Sequence, residues 1–297
     1  MSVNKMGTVR KYIFSSICIT TLLLSSSAFG KDFKYAVGGT YSSTDSDADL
    51  EITTIVGGAQ FFLAPVSTNK GPYAEAGFLD RQTNVLAALG LLTLDIAGFD
   101  IDGNMIGASF EYADQSQPIT LGVTYNSGNA DDNIFGVSVD VSLDILGFEI
   151  GYYLNNQSRV SFVYTQTEFE VNASGLGQFK GETDSYAIVY KNVTDLGGNH
   201  FANLELGFAM DENDANDTNN VISVLGDYYL DRASGIRGGI ALNSGDDTSA
   251  EGTTFTIGFL TFPSETVSVG FTFETFSADE PNNDEDTFSL DFEARFM

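Results

Sequence analysis

The 297-residue sequence has one cysteine, Cys18, one histidine, His200, no tryptophan and five prolines. One cysteine cannot build a disulfide scaffold. Positive charge is scarce too: 13 Lys and Arg stand against 41 Asp and Glu, a formal charge of −28. Binding to a phosphate backbone needs a basic face, so nucleic acid is excluded as a partner. Disorder is excluded by the opposite quantity, since 42% of the residues are hydrophobic and can bury a core. Few prolines beside 24 Phe and 13 Tyr lean toward β-structure, whose pleated surfaces suit aromatic side chains.

What is present begins with an address. Lys5, Arg10 and Lys11 form a basic start, and Tyr12–Leu24 is an uncharged run of thirteen residues. Small residues follow, and Ala28-Phe-Gly30 suits signal cleavage, so residues 1–30 read as a cleaved secretory leader. The apolar run is shorter than the roughly 20 residues of a spanning helix. Cleavage removes Cys18 and three bases but no acid, leaving ten bases against 41 acids, a charge of −31. Residues 31–297 then form one domain without an apolar run long enough for a transmembrane helix, the longest candidate being Val85–Leu94.

That domain alternates. Ile119, Leu121, Val123 and Tyr125 interleave with Thr120, Gly122, Thr124 and Asn126, and Val267, Val269, Phe271 and Phe273 with Ser268, Gly270, Thr272 and Glu274. A period of two puts one set on each face of a sheet. The pattern predicts about fourteen strands, with 12 to 16 as the range, near 33–43, 50–63, 72–83, 102–113, 118–127, 134–154, 159–170, 183–192, 201–211, 220–230, 235–243, 252–262, 265–276 and 286–297. Residues 84–101 read as a long strand, a loop, a short helix or an inward plug. In 134–154 the apolar parity flips near Ile145, which suggests a bulge or a hidden hairpin. Leu94–Ile101 (LDIAGFDI) echoes Leu143–Ile150 (LDILGFEI).

The connections are of two kinds. Those after odd-numbered strands are acidic, as in Ser43–Asp49, Asp211–Asp217 and Ala278–Asp286; those after even-numbered strands are shorter or less acidic, as in Asn155–Ser158 and Asp231–Gly235. Up-and-down strands therefore collect the acidic loops at one end. A secreted sandwich also alternates. Here the apolar set is rich in Phe and Tyr, with tyrosines such as Tyr35, Tyr41, Tyr73, Tyr125, Tyr152, Tyr190, Tyr228 and Tyr229 near segment ends, and the other set is Gly, Ser, Thr, Asn and scattered acids. An aromatic exterior and a watery interior belong to a closed antiparallel transmembrane β-barrel, because lipid leaves no backbone group unpaired.

The segments Gly71–Leu79, Gly151–Asn156 and Gly226–Leu230, with the leader and a last strand carrying Phe288, Leu290, Phe292 and Phe296, resemble Gram-negative outer-membrane β-barrel proteins of the porin kind. Met297 after the terminal aromatic is the one departure from the assembly signal of that class. The resemblance implies insertion by the barrel-assembly machinery, contact with outer-membrane lipid and lipopolysaccharide, periplasmic termini and a homotrimer, the common state of the class.

Three chemistries remain. His200 has no recognisable nucleophile motif beside it, so no enzyme and no catalytic residue is expected, and no cofactor. Asp211, Asp214 and Asp217 have the composition of a calcium loop but not the spacing, the central glycine or the final glutamate of an EF-hand, and read as a solvated loop, with weak Ca²⁺ or Mg²⁺ binding as the alternative. Transport fits best. The polar faces assign Lys34, Glu75, Glu111, Glu205, Asp227, Arg237, Glu274, Asp291, Glu293 and Arg295 to the lumen, seven acids against three bases. Lumen charge tunes selectivity, so a cation-preferring pore for ions and small hydrophilic solutes is expected. The alternative is a non-conducting surface barrel whose acidic loops serve adhesion or envelope structure.

Overall fold

The computed structural model describes residues 32–47, 50–96, 100–134, 137–174, 177–214, 217–245, 251–264, 266–279 and 284–297. The expected leader, 1–30, lies outside them, as do parts of the acidic connections at 48–49, 215–216, 246–250 and 280–283. The fourteen strands are β1 (Phe33–Ser46), β2 (Leu50–Val66), β3 (Asn84–Ile96), β4 (Asp100–Tyr112), β5 (Ile119–Ile134), β6 (Val137–Asn155), β7 (Ser158–Ala173), β8 (Gly177–Gly197), β9 (His200–Asn213), β10 (Thr218–Tyr229), β11 (Ser234–Gly245), β12 (Gly252–Ser264), β13 (Val267–Ala278) and β14 (Glu285–Phe296). Each pairs antiparallel with its sequence neighbours, and β1 pairs with β14 from Tyr35↔Phe296 to Ser46↔Glu285. The barrel is closed, so none of its strands is a free edge.

Two segments differ from the sequence reading. Residues 72–83 are not a strand. They contain a 3₁₀ turn (Tyr73–Glu75) and a short helix, α1 (Ala76–Asp80), inside the β2–β3 connection. The third strand is β3, and the described residues of 84–101, namely 84–96 and 100–101, are neither plug nor helix but β3 and the start of β4. The apolar stretch at 85–94 had masked the alternation, because here both faces are apolar: Leu89 and Leu91 are exposed outward while Leu94 is buried inward.

Along the middle of each strand the apolar set faces out. On β5 these are Ile119, Leu121, Val123 and Tyr125, all exposed, as are Phe148, Ile150 and Tyr152 on β6. Four or five outward positions per strand approach the 9–11 residues a tilted strand needs to cross lipid. Tyr125 and Tyr164 mark one boundary of this band: their hydroxyls donate to Asp144 (2.9 Å) and Asp184 (2.7 Å) just beyond it. Tyr35, Tyr152 and Tyr228 are exposed toward the other end. Tyr73 and Tyr229 are not girdle residues: Tyr73 belongs to the 3₁₀ turn and Tyr229 is 2% exposed.

Beyond the Tyr125–Tyr164 level the polarity inverts. There the outward residues are polar, among them Glu51, Asp102, Asp131 and Glu168, which are exposed. The inward ones are apolar and buried: Leu50, Ile52, Leu94, Ile101, Ala130, Leu143, Ile145 and Phe169 form one cluster. This explains the parity flip near Ile145. Pairing of β6 with β5 runs without a shift from Val137 to Tyr152, so neither bulge nor hairpin is involved. The strand has left the lipid, and water now lies outside. β6 and β8, at 19 and 21 residues, extend far past the apolar band. The described residues of the first echoed octapeptide belong to the end of β3 and the start of β4, and the second lies within β6, yet Leu94 and Leu143 enter the same cluster.

The acidic connections gather at this extended end. The other end carries the start of β1, the end of β14 and the short turns, such as 113–118, where the Ser116 N–H donates to the Asp114 carboxylate (2.7 Å) and holds its pKa low.

Candidate functional site

Inward strand positions build the site, and tilt decides which of them meet. One pairing row runs Ile52–Thr44–Thr287–Glu274–Thr256–Gly239–Leu225–Glu205–Lys191–Arg159. It starts near the loop end of β2 and finishes at the second residue of β7, at the turn end, which is the stagger that barrel closure imposes. Glu274, Glu205, Lys191 and Arg159 therefore share a row. The next row down places Arg237 beside Asp227, and Asp227 beside Asn203.

The β2–β3 connection, residues 67–83, crosses this lumen near the turn end. Proline at 72 removes a backbone donor, and Gly71 leaves room that a Cβ would take from Leu79 (Cδ1 at 2.5 Å). Arg81, with φ 52°, ends α1 by donating its N–H to the Gly77 carbonyl (3.0 Å). Its guanidinium donates to the Asn155 carbonyl (2.7 Å) and lies over the Tyr153 ring (3.8 Å), while the Tyr153 hydroxyl donates to the Phe78 carbonyl (2.8 Å). Arg232 donates to the carbonyls of Gly71 (2.9 Å) and Thr68. Asp80 accepts the Ser67 N–H (2.8 Å) and pairs with Lys70 (2.6 Å). The segment is thus tied to β6, to the β10–β11 turn and to itself.

Glu75 is the hub. Its side chain is 2% exposed, accepts the Tyr229 hydroxyl (2.9 Å) and pairs with Lys191 (3.0 Å), which also holds Glu205 (2.8 Å). Burying a carboxylate costs several kcal/mol unless a partner compensates, and Lys191 with Tyr229 supplies one. Glu75 thus reaches the lumen on this connection, not on a strand.

The remaining expected positions separate by partner. Arg159 joins Glu111 (3.0 Å) and Glu149 (3.1 Å). Arg237 joins Asp227 (2.7 Å), which also accepts from Asn203 (2.9 Å). Arg295 joins Glu293 (2.5 Å), its guanidinium 4.4 Å from the Phe33 ring centre. Asp291 accepts from the Thr40 hydroxyl (2.7 Å) and Glu274 from Thr256 (2.9 Å); among the described residues neither shares an ion pair. Lys34 leaves the row. Pairing shifts between Phe33 and Tyr35, and its ammonium sits 5.8 Å from the ring of Phe61, a residue of the outward set. Sequence reasoning missed Glu149, Arg159 and Lys191. Parity could have found them: Phe148, Ile150, Phe162 and Ile188 are exposed outward, so odd positions of β6, β7 and β8 face in.

A cavity of about 100 Å³ lies beside the inward segment. Thr40, Gln60, Asp227, Arg237, Asp291 and Glu293 line it with Glu75, and small residues such as Gly38, Gly58 and Gly270 form its wall. At Gly38 a Cβ would strike the Phe292 carbonyl (2.7 Å), so closeness of β1 to β14 requires glycine there.

The other candidates stay apart. Phe288, Leu290, Phe292 and Phe296 occupy alternate positions of β14, with the last three exposed on the barrel exterior. Asp214 accepts the Glu182 N–H of β8 (2.8 Å), and Asp217 accepts the Asn213 amide within its own connection (3.2 Å). Among the described residues no group of three ligands converges on a metal. His200 stacks on Tyr228 (6.1 Å).

A sequence profile of the family described as "putative general bacterial porin" matches residues 10–296. The chain belongs to this family. Its barrel is similar to the Acinetobacter baumannii outer membrane protein Omp33, at 19% identity and a TM-score of 0.60, over 90% of this chain and 100% of that one. It is also similar to the translocator domain of the autotransporter NalP from Neisseria meningitidis (10% identity, TM-score 0.53, 98% of each chain) and to a TodX mutant titled a monoaromatic hydrocarbon channel (11%, 0.51, 92% of this chain and 94% of that one). At these identities the likeness is one of fold. No curated protein matches the sequence. The porin is an outer-membrane β-barrel set in lipid and lipopolysaccharide, and its family role is that of a channel.

Proposed function

We propose that this porin passes ions and small hydrophilic solutes by passive diffusion, with a preference for cations. One observation carries the preference. The other lumen acids named above are tied to Lys191, Arg159, Arg237 or Arg295, whereas Asp291 and Glu274 have hydroxyl partners, and Asp291 lines the cavity. A carboxylate without a basic partner in a narrow wet passage lowers the energy of an entering cation and raises that of an anion. The reversal potential across a planar bilayer in a KCl gradient tests this: a sign showing K⁺ preference is expected, and anion preference overturns it.

The leader at 1–30 is removed in this reading. The turn end with both termini faces the periplasm and the acidic loops face outward. The β14 pattern ending at Phe296 is read by the assembly machinery, and the barrel forms a homotrimer. A second reading, a non-conducting surface barrel, draws support from the segment 67–83 that crosses the lumen. Single-channel recording separates the two: discrete steps mean a pore, and silence means the surface barrel.

A further inference from the structure

The apolar cluster at the loop end occupies only part of the circumference. Strand tilt staggers positions of equal height by about one residue per strand. With that stagger, Ile52, Leu94, Ile101, Ala130, Leu143 and Phe169 stand at one level on β2 to β7. Continuing round, the inward residues at that level are polar on β8 to β12, β14 and β1, among them Thr183, Asp211, Asn243, Thr254 and Glu285, with Phe276 of β13 the one apolar member. The mouth is two-faced: an apolar half faces a half that is polar except at Phe276.

The apolar half is closed. Leu94 is 2% exposed and Ile52, Ile101 and Ala130 are 4% exposed, although each points to the inside of a barrel. Inward side chains along an open water channel would be wetted. These are packed on one another, with Leu92, Val141 and Val171 filling behind them. A space lined only by such side chains offers water no hydrogen-bond partners and stays dry. On the polar half, Thr183, Asp211, Asn219 and Asn243 are only half-buried, while Ser46 beside the wall is buried.

We propose that the β2–β7 cluster is a dry wall across half of the loop-end mouth, which confines water and solutes to the half bounded by β8–β14 and β1. The wall adds selectivity before the charged level is reached. A solute must enter along the polar side, where Asp211 and Glu285 face in, and that side leads down to Glu274, Asp291 and the cavity. Hydrophobic constrictions exclude ions by dewetting; here one does so over half of the circumference and leaves a polar lane.

Water access can be read without any conductance. Cys18 is the one cysteine of the sequence and lies in the leader segment, so single cysteines report cleanly once it is absent. Ile52→Cys, Leu94→Cys and Ala130→Cys probe the wall, and Asn243→Cys and Thr254→Cys probe the lane. The purified barrels, shown folded by heat-modifiable migration on gels, are treated in detergent with a charged methanethiosulfonate reagent. Labelling at least about tenfold slower on the wall than in the lane is expected, since reaction there needs local opening. Equal rates overturn the proposal. If the larger side chains cannot be replaced without unfolding, Ala130→Cys, which changes little volume, decides alone. A barrel that labels as expected yet shows no channel steps would count against diffusion and leave the wall standing.

Discussion

Two side chains decide most at the residue scale. Lys191 compensates Glu75 and Glu205 together, so its removal leaves the buried Glu75 and the half-buried Glu205 without that cation. Breaking such a pair costs about 3–5 kcal/mol. Lys191→Met is expected to lower the temperature at which the barrel loses its compact gel migration, and to make residues 67–83 cleavable by protease. Glu75→Gln, which keeps a hydrogen-bond acceptor for Tyr229, should cost less. Asp291 sits in a different setting, with Thr40 as its partner on the cavity wall. Asp291→Asn should leave folding unchanged and move the KCl reversal potential toward zero. Lys191 was legible as inward by parity from Ile188 and Tyr190. That it meets Glu75 was not, because Glu75 lies 116 positions away on a segment that parity had assigned to a strand.

At the scale of elements, the connection 67–83 and the long strands β6 and β8 give this barrel its character. The connection is held by Arg81, Arg232 and Glu75, not by strand pairing. Replacing residues 72–79 with a short Gly-Ser linker should keep the fourteen strands and roughly double single-channel conductance, since a barrel of this size is wider than its own side chains fill. An unchanged conductance would place the narrowest point elsewhere. Ala74, Ala76 and Phe78 alternate while Tyr73, Ala76 and Leu79 recur at every third residue, so the segment reads as strand or as helix, and only the barrel interior supplies Phe262, Phe33 and Phe62 to cover it. The strand count survived this error because β3 took the place of the misread strand.

For the whole molecule, closure determines the rest. Each strand pairs on both sides and the tilt carries one pairing row from Ile52 to Arg159, so charges far apart in sequence become neighbours. Their effect on ions is electrostatic and screened by salt, with a Debye length near 10 Å at 0.1 M and 3 Å at 1 M. The cation preference should therefore be larger when the KCl gradient is centred near 0.1 M than near 1 M; equal preference at both would argue for size selection instead of charge.

The sequence alone determined the class and the direction of its faces. Alternation is local, and a period of two with an aromatic exterior leaves few folds open once lipid demands that every backbone group pair. Its loops, read as acidic on one end, follow from the same counting. Tertiary structure decided what meets inside. The inward path of 67–83, the bridging of Glu75 to Lys191, the displacement of Lys34 by a pairing shift and the packing of Leu94 against its neighbours all depend on stagger and closure. Those are properties of fourteen strands together, and no single strand carries them.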